Sequence, residues 1–206
     1  ADFYSRAVNK DQGNIEWLKK WIGAIEKITP RNRQAYNDRY FGQYLPALGQ
    51  IARVQRRDLA SQERFLNETF ERLTRYGSTL QAWEQFSTQV GDTLRFFEED
   101  PKSRDHLRRY RGIASVAMMS INPQVSEEAI KEAEEDLLAA LGADPADADA
   151  ASSLAEFYRM RSVLARRNRQ DDAADELAGK GRATLEKFIQ VNPPGGRAKA
   201  ELLRMD

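Results

Sequence analysis

His106 is the only histidine in the 206 residues, so one copy of the chain cannot build a site with two imidazole ligands. It lies within the arginine-rich stretch Arg104 to Arg111. Asp105 is the one adjacent acid that could orient it, and a solvent-facing or packing role outweighs a catalytic one. The run Glu127, Glu128, Glu132, Glu134, Glu135 and Asp136 offers oxygen ligands of the type a divalent cation takes. Helical spacing, however, spreads these side chains around a cylinder beside Lys131, and a solvated, ion-paired face is the expectation. Gly179-Lys180-Gly181 and Gly195-Gly196 lack the flanking spacing of a phosphate-binding loop. Ser152 and Ser153 have no histidine near them in sequence to activate a hydroxyl. With no cysteine, disulfides, thiolate metal sites and thiol nucleophiles drop out. These residues predict a chain that is not an enzyme and carries no metal or cofactor.

Arginine supplies the other chemistry. Arg104, Arg108, Arg109 and Arg111 surround Tyr110, and Arg159, Arg161, Arg166, Arg167 and Arg169 form a second cluster. Arginine beside an aromatic ring can hold phosphate or a stacked base, which makes RNA binding the alternative function. Lysine plus arginine equals aspartate plus glutamate at 32 each, so no net charge draws the molecule to nucleic acid or an anionic surface. Ion pairing with neighbouring acids is the favoured reading of both clusters, and nucleic acid is not the expected partner. Tyr36, Tyr40, Phe41 and Tyr44 make an aromatic stripe at helical spacing, which reads as core before it reads as a peptide pocket.

The elements that must position these groups are helices. Ile15, Leu18, Trp21, Ile22, Ile25 and Ile28 recur at intervals of three and four, the pattern of one buried helical face. No stretch alternates apolar and polar residues between hairpin turns. The apolar fraction of 41% and mean hydropathy of −0.71 fit a core under a charged surface, and no apolar run approaches the roughly 18 residues that span a bilayer. Proline punctuates the chain at Pro30, Pro46, Pro101, Pro123, Pro145 and Pro193. The spacing predicts helices over 2–10, 14–28, 32–57 with a kink or break near Pro46, 59–76, 78–99, 101–121, 126–142, 147–169, 171–191 and 196–205. Asn14, Asp100 and Ser126 are the expected caps, and Gly77 and Gly142 the expected stops.

A repeat underlies this order. Asx-Pro pairs stand at Asp100-Pro101, Asp144-Pro145 and Asn192-Pro193, 44 and then 48 residues apart. Ala133, Leu137, Ala140 and Pro145 set small, large, small and proline at intervals of four, three and five, and Gly181, Leu185, Phe188 and Pro193 repeat those intervals. Between them lie Ala151, Leu154, Ala155 and Tyr158. Near the start, Tyr4, Ala7 and Asp11 precede Leu18, Trp21, Ile22 and Ile25. Over residues 1–28 and 126–206 this arrangement resembles the tetratricopeptide (TPR) repeat family, with Phe188 bulkier than that family favours. The stretch from Leu154 to Gly181 is about 14 residues longer than the family's unit, about four helical turns shared by two helices. Residues 31–125 form a divergent helical part.

The resemblance implies an all-α fold of antiparallel helix pairs stacked as a right-handed TPR-like superhelix, a single segment over 1–206. Because the chain opens at Ala1 in mid-repeat, and Ala198, Leu202 and Leu203 begin a further helix, a longer parent array is expected. In such a stack the first helix of each pair lines a concave groove that binds a partner peptide or helix. The residues this places in the groove are Glu16, Lys19 and Lys20 near the start and Asp149, Ser152 and Glu156 in the best-matched repeat. The implied function is a non-enzymatic scaffold or adaptor with a protein partner.

Overall fold

The computed structural model describes residue 11 and residues 13–27, 40–76 and 78–192. Among these residues every regular element is a helix, the all-α class that the three-and-four periodicity predicts. The expected helices over 2–10 and 196–205, with Tyr36 and Gly77, lie outside the described residues. The chain divides into two compact units, Ala1–Gly77 and Ser78–Asp206.

In the first unit, α1 spans Ile15–Glu26. Asn14 caps it by accepting from the Trp17 backbone N–H at 3.1 Å, which satisfies one of the donors left open at a helix start. Its apolar face buries Leu18, Ile22 and Ile25 against Tyr44, Ala47, Leu48 and Ile51. A single π-helical turn, Tyr40–Tyr44, leads into α2, Leu45–Val54, which carries Pro46 in its first turn. Proline has no N–H to give and its ring crowds the carbonyl four residues back, so the break expected there takes the form of a wider turn. α3 spans Leu59–Tyr76, and its Gln62, 3% exposed, closes the end of α2. The amide Nε2 donates to the carbonyls of Ala52 at 2.6 Å and Gln55 at 3.3 Å, acceptors that a buried helix end would otherwise leave open.

The second unit begins with α4, Leu80–Leu94, capped by Thr79 and followed by a 3-10 turn, Arg95–Phe97. α5 follows over Pro101–Ile121, α6 over Glu127–Ala143, α7 over Ala148–Arg167 and α8 over Asp171–Val191. Asp100 accepts from Ser103 N–H and Ser126 from Ala129 N–H, both at the caps read from sequence. Gly142 does not stop α6, which runs on to Ala143 with Asp144 as its last cap. Glycine favours a stop only where the backbone turns left-handed, and here the exit is extended.

α5 packs along α6, α7 along α8, and α7 also meets α5 and α6. The short links between consecutive helices make each pair antiparallel. Trp83 and Phe86 of α4 form an edge-to-face series with Tyr110 of α5, at centroid separations of 6.1 and 6.2 Å. The small and large residues of the repeat pattern fill the joints: Ala133, Leu137 and Ala140 of α6, Ala151, Leu154, Ala155 and Tyr158 of α7, and Gly181, Leu185 and Phe188 of α8 are all buried. Gly112 marks the closest approach. A Cβ there would stand 2.7 Å from Leu137 Cγ and 2.9 Å from Leu137 Cδ2, so only glycine lets α5 and α6 meet at this distance.

Candidate partner-binding cleft

The arginines of α5 turn toward carboxylates. Asp136 is fully buried and accepts from Arg108 Nε at 2.6 Å and from Arg111 Nε and Nη2 at 2.6 and 2.9 Å. Arg108 and Arg111, three residues apart, share one face of α5 and clasp the acid from two sides. Arg111 also reaches Glu132 at 2.9 Å, and its hydrogen bond to Asp136 holds the guanidinium above its ordinary pKa. Arg109 Nη1 meets Asp147 at 2.9 Å, while the other oxygen of Asp147 caps α7 by accepting from Asp149 and Ala150 N–H. Burial pulls the Arg109 pKa down, but Tyr110 and Asp147 together hold it above the ordinary value. Arg104 lies 3.7 Å from Asp105. All four members of the Arg104, Arg108, Arg109 and Arg111 patch therefore have an acid within ion-pair reach, and the last three tie α5 to α6 and α7.

The acidic run of α6 is divided by this packing. Lys131 stands 3.7 Å from Glu135 on the exposed side, as a solvated face requires, whereas Asp136 is the exception, buried under two cations. Glu134 accepts from the Tyr158 hydroxyl at 2.7 Å. The described residues contain no group of three acidic or imidazole side chains placed to hold a metal ion, and no helix among them is long and apolar enough to cross a membrane.

Asp149, Ser152 and Glu156 follow one another along a single stripe of α7, each half-buried. Glu156 is held by Arg159 through two bonds of 2.6 Å. Glu16, Lys19 and Lys20 are exposed on α1, in the first unit.

Beyond Glu156, along the C-terminal half of α7, a cleft of about 350 Å³ opens between α7, the end of α5 and the start of α6. Buried Met119, Ile130 and Phe157 form its floor, and Met160, Val163 and Leu164 line its wall. Val163 and Leu164 are each 40% exposed, adjacent apolar side chains left open on an otherwise charged helix. Among the described residues, Arg159, Arg161 and Arg167 edge the cleft with Glu156 as the one carboxylate. Sequence reasoning registered these arginines as a basic cluster but missed the apolar floor. Its only local signal was the Val163-Leu164 pair at positions an ideal amphipathic α7 would give to polar residues.

Comparison with known protein families and with curated proteins finds no match for the chain.

Proposed function

We propose that this chain is a protein-interaction module of the TPR-like kind, its helix pairs stacked in a right-handed superhelix, working as a scaffold or adaptor that catalyses no reaction. The observation that supports this reading is the apolar cleft on α7, continuous through Glu156 with the stripe of Asp149 and Ser152. A second support is the burial, in joint after joint, of the small and large residues that carry the repeat pattern. An apolar trough edged by charge is the surface that takes up a peptide or a helix face, and first helices of stacked pairs present such surfaces side by side.

The test is an affinity capture from the source organism with the wild-type chain beside an Asp149→Lys, Glu156→Lys double variant. A protein retained by the wild type and lost by the variant supports recognition through the α7 face. Equal recovery by both removes the Asp149–Glu156 stripe from the reading, and recovery abolished by nuclease would favour RNA instead.

A further inference from the structure

We infer that the cleft between α7 and the α5–α6 junction takes a partner segment of one chemistry: two or three large apolar side chains flanked by aspartate or glutamate. The inference rests on the interaction-module reading and adds the site's location and the character of its ligand. Its apolar half follows from the floor of Met119, Ile130 and Phe157 and the open wall of Val163 and Leu164. A volume of about 350 Å³ is at the small end of ligand sites, enough for a few side chains presented from one face of a peptide.

The acidic half follows from how the rim charges are used. Among the described residues, three arginines and one carboxylate edge the cleft. Glu156 is consumed by its two bonds to Arg159, so this pair offers little net field. Arg161 has only a 3.7 Å contact with Glu127, whose side chain is 82% exposed, a weak attachment that water screens. Arg167, exposed at the last turn of α7, has no ion pair among the described residues. Two cations in excess, six residues apart on the lip of an apolar trough, favour an acidic ligand and oppose a basic one. The patch on α5 contrasts with this arrangement, since there each arginine already has an acid.

The experiment is a selection of random 16-residue peptides displayed on phage against the full chain, followed by fluorescence anisotropy of the enriched peptides. Enriched sequences are expected to carry large apolar residues at helical spacing with flanking Asp or Glu. Their Kd should rise on the order of tenfold in an Arg161→Glu, Arg167→Glu variant, from the loss of two exposed ion pairs and the gain of like charges. A Val163→Ser, Leu164→Ser variant should weaken binding by more than its modest lowering of thermal stability explains, since each side chain is 40% exposed and partly packed. Lysine-flanked versions of the same peptides should bind less well than the originals. Enriched peptides without acidic bias, or indifferent to both variants, would overturn the inference.

If enriched peptides instead lose binding only to Asp149→Lys, Glu156→Lys, the interaction-module reading survives and this site does not. Enrichment of no peptide at all, together with no protein recovered by the wild-type chain in the capture experiment, would remove both. Retention of a random single-stranded RNA by wild type but not by Arg161→Glu, Arg167→Glu would reassign the rim to nucleic acid. Sedimentation showing self-association that the same variant abolishes would assign the cleft to a second copy of the chain.

Discussion

Replacing Asp136 by alanine should cost the second unit about 3 kcal/mol. The carboxylate is fully buried and takes three bonds of 2.6 to 2.9 Å from Arg108 and Arg111. Removing one member of a buried ion cluster leaves the others desolvated without compensation, a loss of about 3–5 kcal/mol. Two observations place this case at the lower end. The arginine side chains keep 21% and 25% of their exposure, and each retains another acid, Asp105 at 3.5 Å and Glu132 at 2.9 Å. Urea unfolding can be followed through Trp83 in a Trp17→Phe, Trp21→Phe background, where the only remaining tryptophan reports on the unit that holds Asp136. The decisive comparison is the triple variant Arg108→Met, Asp136→Leu, Arg111→Met. If the penalty comes from stranded cations, this apolar replacement should recover most of the stability lost in the single variant. A single-variant loss below about 1 kcal/mol would refute the argument, because it would mean the cluster behaves like a surface pair.

Gly112→Ala sets a helix-propensity gain of about 1 kcal/mol against overpacking of about 1–3 kcal/mol at Leu137, whose Cγ would lie 2.7 Å from the new Cβ. A net loss in urea unfolding is expected, and a net gain would show that α5 and α6 can separate freely. Arg169 has a φ of 60° and closes α7 in a Schellman arrangement, with Gln170 N–H donating to the Ala165 carbonyl and Arg169 N–H to that of Arg166. Arg169→Gly should therefore raise stability by about 1 kcal/mol, and an unchanged or lower melting temperature would contradict it. Burial, and then the hydrogen bond to Glu134, push the Tyr158 phenol above its ordinary value of 10.0. The unfolded chain loses that proton first, so this contribution is complete below pH 10 and declines as the pH rises above it. Tyr158→Phe should flatten the alkaline fall in stability read through Trp83, and an identical slope in both proteins would dismiss the effect.

Much of the helical order is visible in the sequence because its causes are local. Asn14, Asp100 and Ser126 accept from the N–H groups that cap residues normally serve, and short-range chemistry of this kind needs no knowledge of the rest of the chain. The residues expected at the joints, Leu137 and Leu154 above all, are buried at 0% and 1%, since small residues beside a leucine leave few alternatives to close packing. Asp136 was not legible. It belongs to a run of acids, and nothing within a few residues distinguishes it from Glu135, which faces Lys131 in the open. Arg108 and Arg111 lie 28 and 25 residues away, on another helix.

The cleft shows the same division. Arginines 159, 161 and 167 stand out in the sequence as charge, but which of them is spent on a neighbour depends on rotamers and on what α6 and α8 bring near. Arg159 bonds along its own helix to Glu156 and Arg166 crosses to Asp175 on α8, while Arg161 is left with a distant, exposed acid. Sequence by itself determined the class, the caps and the buried stripes, because backbone satisfaction and apolar period are properties of neighbours along the chain. Tertiary structure alone decided which charges are buried and which remain on the lip of an apolar trough, because desolvation and pairing depend on helices that meet in space through contacts such as Gly112 on Leu137.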